Sequence, residues 1–211
     1  MAAFDAFGCV SAVRKIYPSD IDTNGWGQAP YPVNASDFDD AGRAVRLPNG
    51  VVAELATCYD AFAFAERLLG PTANRRHIRY GHVDGRHPKY LSLAQRDQLM
   101  ESYLYALDRR TPSLILVGIH GFEQPGRDGY WQRNGIATAS AAMNGIPCIG
   151  AAHYAEALPS PQSTSLAARS VPQSHLWSGS KRQAYALQPD TWLYVRVGTK
   201  PVLLLRRFDL A

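Results

Sequence analysis

The sequence has little cysteine and no long apolar run. Its 211 residues hold three cysteines, Cys9, Cys58 and Cys148, far apart and odd in number. No Cys-x-x-Cys or Cys/His ligand spacing occurs. That argues against a disulfide scaffold or a zinc knuckle and suggests free thiols in a reducing compartment. No apolar stretch approaches the roughly 20 residues that span a bilayer. The opening MAAFDAFGCV lacks a basic region and carries Asp5, so no secretory signal is expected. The expectation is a cytoplasmic protein with no membrane partner. Charge of one sign is also scarce: the net value is +4 and the pI about 9.0. Such a balance permits an anionic partner without requiring one. Internal repeats and low-complexity tracts are absent.

What is present suits a globular fold. Hydrophobic residues make up 46% of the chain, aromatics 10% and charged residues 19%. The length fits a single domain over residues 1–211. Residues 18–50, rich in Pro, Gly, Asn and Asp, read as a long loop excursion in which Trp26, Tyr31 and Phe38 offer something to bury. Residues 50–58 can form a strand and 59–70 a short helix ended by Gly70 before Pro71. Residues 77–83 alternate as a strand would. The clearest helix begins at Ser92, where Ser-Leu-Ala-Gln forms a capping box with Gln95. Leu99, Met100, Tyr103, Leu104 and Leu107 then fall on one face, and Pro112 prevents continuation.

The segment SLILVGI (113–119) is apolar on both faces, as a central strand is. A small-residue helix over 134–145 and a strand over 146–152 follow, the signature of a parallel unit. Residues 156–174 carry three prolines and read as a second excursion. Residues 191–208 read as a terminal antiparallel hairpin. The expected fold class is α/β: a mostly parallel sheet sandwiched by helices, with a C-terminal β-hairpin and long Pro/Gly-rich loops.

The strongest site candidate lies where SLILVGI stops. Ligands of open α/β sheets bind at the carboxyl ends of strands. Gly118 and Gly121 bracket His120, and glycine lets backbone N–H groups approach a ligand. His120 can serve as acid or base near neutral pH. Arg127 and Arg133 can neutralise an anion. Arg79 and Arg86, from the basic stretch NRRHIRYGHVDGRHPKY (74–90), can add to it. That stretch can equally be a solvated connection. His82, Asp84 and His87 match no metal-ligand spacing, so no metal is assigned. No cofactor is assigned either.

Residues LILVGIHG, a gap, then NGIATASAAMNGIPCIGA resemble the closing unit of the universal stress protein family. The matching residues are Gly118, His120, Gly121, Gly135 and Pro147-Cys148. The resemblance implies a glycine turn that binds nucleotide phosphates. Ile136 stands where that family has a phosphate-binding hydroxyl. The same stretch is similar to a segment of the stationary-phase survival nucleotidases through Gly118, Ile119, Gly126, Asp128 and AAMNGIPCI, without their metal-binding Asn-Asp-Asp segment. Either resemblance covers about a fifth of the chain.

Other readings remain beside this one. Cys9, in FGCVSAVRKIY, would be a nucleophile if it began a helix, with His82 as its partner in a Cys–His amidase. A buried inert thiol is the plainer account. Ser-Thr-Ser with Arg169 in the second excursion lacks the later glutamate that ADP-ribosyl transfer needs. The expectation is therefore a protein binding a nucleotide-like or other anionic small molecule, with hydrolase or transferase chemistry at His120. Nucleic acid is an alternative partner. A non-enzymatic subunit of a larger assembly, such as a virion-type particle or a homo-oligomer, is the alternative class.

Overall fold

Three parallel strands, joined by helical crossovers, form the middle of the main sheet. The structure is a computed structural model. It describes residues 1–17, 41–64, 80–81, 89–119, 132–152, 175–178, 185–187, 191–197 and 200–207. In chain order the elements begin with strands β1 (Ala2–Asp5) and β2 (Gly8–Ala12) and a 3-10 turn (Ala41–Arg43). Strands β3 (Ala44–Arg46) and β4 (Val52–Thr57) follow, then a 3-10 helix (Cys58–Phe64). Next come the short strands β5 (Tyr80–Gly81) and β6 (Lys89–Tyr90), helix α1 (Leu93–Arg110) and strand β7 (Leu114–Ile119). A π-helical stretch (Gln132–Ala137) runs into α2 (Thr138–Ala142). Strands β8 (Cys148–Ala152), β9 (His175–Ser178), β10 (Tyr185–Leu187), β11 (Thr191–Val197) and β12 (Lys200–Arg207) complete the described elements.

The six-stranded sheet runs β10-β9-β8-β7-β4-β3. It is mixed. The β4–β7 and β7–β8 pairs are parallel, and the three outer pairs are antiparallel. The expectation of a mostly parallel sheet is thus corrected to a parallel centre with antiparallel flanks. Residues 41–50, expected as loop, contribute a 3-10 turn and the edge strand β3. Residues 175–178 and 185–187 supply the other flank, which alternation in such short stretches does not announce.

The crossovers β4→β7 and β7→β8 step the same way across the sheet. Right-handed crossovers then place both helices on one face. The core agrees. Met100, Tyr103, Ala106 and Leu107 of α1 pack with Ile136, Ala139, Ala142 and Met143 against Ala56, Ile115, Val117 and Cys148. Residues opposed in parallel register share a face. Ala53 and Leu55 pair with Leu114 and Leu116 and point the other way. Ala53 and Leu55 are nonetheless fully buried. Among the described residues the helices cover one face, so the sandwich is seen on one side only.

Helix α1 begins as its sequence dictates. The Ser92 hydroxyl accepts from the Gln95 amide at 3.3 Å, and the Gln95 side chain accepts from the Ser92 amide at 3.1 Å. It ends at Thr111, which takes the left-handed conformation (φ 46°) ahead of Pro112. Strands β11 and β12 pair antiparallel, and a register irregularity falls between Val195 and Arg196, where Pro201 pairs. A proline that cannot donate to the ladder is tolerated at such an irregularity. The N-terminal segment also forms a hairpin, β1 with β2. Cys9 therefore lies in a strand and does not begin a helix. The short apolar and polar steps of FGCVSAV fit either period, and the Asp5 side chain settles the turn by accepting from the Phe7 and Gly8 amides at 2.7 and 3.0 Å.

Candidate functional site

Two arrangements of polar groups stand out: a buried charge cluster and the carboxyl edge of β4 and β7. The cluster contains Arg43, Glu54 and Asp60, all at most 1% exposed, with Arg110 closing it. Glu54 sits on the helix-side face of β4. Arg110, in the last turn of α1, donates to both its oxygens at 2.8 and 2.7 Å. Such a two-pronged ion pair suits the planar guanidinium. Burial pushes the Glu54 carboxyl up, and the Arg110 hydrogen bonds and charge oppose that rise.

Asp60 ties three chain segments together. Its Oδ1 accepts from the Ile16 and Tyr17 amides at 2.8 and 2.9 Å, and its Oδ2 accepts from the Thr57 amide at 3.2 Å. The Arg43 guanidinium lies 3.8 Å away. Burial pushes the Asp60 carboxyl up, against the charge of Arg43 and the bonds from Tyr17 and Ile16. Tyr103 packs edge-on against Tyr17 and Phe64 at 5.7 Å from each. Burial first, then the two carboxylates, raise its phenol well above the ordinary value, so it stays neutral. Among the described residues, two arginines face two carboxylates in this cluster. Its chemistry is structural: it fixes α1 to β4 and shapes the turn after β4.

That turn forms the second arrangement. The register sets Thr57 beside Gly118, and Gly118 beside Ala151, at the carboxyl ends of the parallel strands. The Thr57 hydroxyl is buried and has no hydrogen-bond partner. A buried hydroxyl left in that state carries a cost, and a bound polar group would remove it. Immediately after Thr57, Cys58 adopts a left-handed conformation (φ 51°) as the strand turns into the 3-10 helix. Non-glycine residues pay for such a conformation, and it recurs where a strand-to-helix turn lifts a nucleophile to the sheet edge. Cys58 is half-buried and takes part in no disulfide. By contrast, burial pushes the Cys148 thiol far up, which makes it inert.

Of the residues expected from sequence, Gly118 lies near the end of β7. The Met1 side chain lies against it: a Cβ built on Gly118 would meet the Met1 Cγ and Sδ at 3.4 Å. Arg133 belongs to the π-helical stretch before α2. His120, Gly121, Arg127, Arg79 and Arg86 lie outside the described residues, as do His82, Asp84 and His87. Ile136, at the position of the phosphate-binding hydroxyl in the stress-protein pattern, is 1% exposed and belongs to the core. Among the described residues no group of His, Cys, Asp and Glu could hold a metal ion, and no helix is long and apolar enough to cross a membrane. Comparison with protein-family models, curated proteins and solved structures gives no match.

Sequence reasoning missed Thr57, Cys58 and Asp60. Their signal was present: an apolar run, VVAELA, ends in Thr-Cys-Tyr-Asp, an end much like that of SLILVGI. Only the pairing of β4 with β7 makes the two ends neighbours.

Proposed function

We propose that this chain binds a nucleotide-like or other anionic small molecule at the carboxyl edge of β4 and β7, and acts on it as a hydrolase or transferase. The observation that supports this most directly is the buried Thr57 hydroxyl, without a hydrogen-bond partner, beside Gly118 at the ends of two parallel strands. In this reading a ligand oxygen or N–H satisfies Thr57. His120, the residue after β7 in sequence, is the acid–base group. Cys58 follows the adjacent strand β4 and replaces Cys9 as the thiol of the Cys–His alternative. Its sulfur attacks an electrophilic acyl carbon, His120 takes the thiol proton and returns it to the leaving group, and water then hydrolyses the thioester.

The test uses iodoacetamide on the Cys9→Ser chain, in which Cys58 is the accessible thiol and Cys148 the inert control. The reading expects Cys58 labelling at pH 7 to fall about tenfold in His120→Ala. It also expects AMP to protect Cys58. A labelling rate indifferent to both His120 and AMP removes the catalytic role of the pair.

One observation favours the assembly reading. Phe4 and Phe7, on the N-terminal hairpin, are 72% and 99% exposed. Exposed aromatics of this kind anchor interfaces. Molar mass by light scattering across a concentration series tests it; a strict monomer sinks it.

A further inference from the structure

We infer that residues 1–13 are a hinged flap over the carboxyl edge of β4 and β7, which opens about Arg14 to admit ligand to Thr57 and Gly118. Its purpose rests on the ligand reading above, while its mechanics rest on the contacts of the segment itself.

The segment reaches both faces of the sheet edge. Inboard of Arg14 it is firmly held. The Arg14 carbonyl accepts from the Arg43 guanidinium, and the Ile16 and Tyr17 amides donate to buried Asp60. Tyr17 is 1% exposed, and its hydroxyl donates to the Leu99 carbonyl at 3.3 Å. Outboard of Arg14 the attachment is lighter. Met1 and Val13 close the base of the hairpin: the Met1 ammonium donates to the Val13 carbonyl at 2.9 Å and the Val13 amide donates to the Met1 carbonyl at 2.7 Å. The Ser11 hydroxyl donates to the Gly42 carbonyl. Met1 touches Gly118 while remaining 36% exposed. Beyond that the hairpin projects into solvent, with Phe4, Asp5, Phe7, Gly8 and Val10 exposed.

Ser11 and Val13 are buried at the base of the hairpin, but none of residues 1–10 is buried, and so few buried contacts mark a segment that opens below the global unfolding free energy. A unit anchored at Ile16–Tyr17 and lightly seated at Met1 opens by lifting Met1. The strand end it uncovers is the one bearing Gly118, beside the Thr57 hydroxyl. A Cβ at Gly118 would meet the Met1 side chain at 3.4 Å, an ordinary contact, so the seat of Met1 tolerates alanine there.

Amide hydrogen exchange on the full chain tests the hinge, because its two sides lie three residues apart. The Val13 amide, bound to the Met1 carbonyl, should exchange at least about tenfold faster than the Ile16 and Tyr17 amides. Ser11→Ala should speed Val13 further and leave Ile16 and Tyr17 unchanged. In spectra of 13C-methyl methionine, addition of AMP or inorganic phosphate should move Met1, while buried Met100 and Met143 stay fixed and report that the fold is intact. Because Ser11→Ala raises the open fraction, it should also tighten AMP binding about threefold. The flap is overturned if Val13, Ile16 and Tyr17 exchange together, or if AMP binds and Ser11→Ala leaves its affinity unchanged. Independent exchange of Val13 with no binding of AMP or phosphate would overturn the site reading, and with it the flap's role in admitting ligand, while leaving the hinge motion measured.

Discussion

Arg110→Met isolates the buried ion pair that holds α1 to the sheet. Glu54 is 0% exposed, and Arg110 closes both its oxygens at 2.7 and 2.8 Å. Methionine fills much of the volume of the arginine stem but leaves the buried carboxylate without its hydrogen-bonded counter-charge. Breaking a buried pair in this way costs about 3–5 kcal/mol. A chain of this size loses ~2–4 °C of melting temperature per kcal/mol, so the midpoint should fall ~6–20 °C. The loss should also depend on pH. Arg110 opposes the burial that raises the Glu54 carboxyl. Without it, the folded pKa lies further above the unfolded one, and the folded state binds the proton more tightly. Stability of the variant should therefore recover as pH falls through the folded pKa, until about the ordinary value of 4.5, where the unfolded carboxyl also protonates. Urea melts of wild type and variant between neutral pH and that value measure both effects. The double change Glu54→Leu with Arg110→Met should regain most of the loss, since apolar replacements of a buried pair are tolerated. A single-variant loss below about 1 kcal/mol with no pH dependence would refute the reasoning, because surface-like pairs behave that way.

Three further changes test other parts of the account. Cys58→Gly should be more stable than Cys58→Ala by about 1 kcal/mol in urea unfolding, because only glycine adopts a φ of 51° without steric cost. Gly118→Ala should be neutral or stabilising by up to about 1 kcal/mol, since the new Cβ meets flexible Met1 atoms at 3.4 Å and alanine loses less freedom in a strand. Ser92→Ala removes one half of the capping box of α1 and should cost about 1 kcal/mol.

The legible parts of this fold are those whose local signal and tertiary role agree. Ser92 and Gln95 cap α1 as their spacing dictates, and SLILVGI is a central strand, paired in parallel with β4 on one side and β8 on the other. The strand Cys148–Ala152 and the pairing of β11 with β12 were legible for the same reason. Where a short segment fits two periods, tertiary contacts decide. FGCVSAV became a strand because Asp5 turns the chain and Met1 pairs with Val13. Ala44–Arg46 became an edge strand only because β4 offers it a partner. The candidate site divides the same way. Gly118 at the strand end could be read from the glycine after an apolar run. Thr57 and Cys58 could not, because their importance comes from register with β7, a long-range contact.

The measurement closest to the central claim is thermal unfolding of the wild type and Thr57→Val with AMP, ATP and inorganic phosphate at millimolar concentration. The account predicts that at least one of these anions stabilises the wild type; at a hundredfold excess over its Kd the gain is about 2.7 kcal/mol, or ~5–11 °C for a chain of this length. The gain should shrink in Thr57→Val, whose side chain matches in shape but offers no hydroxyl. No stabilisation of the wild type by any of the three, or an equal gain in Thr57→Val, would contradict a ligand site at the carboxyl edge of β4 and β7.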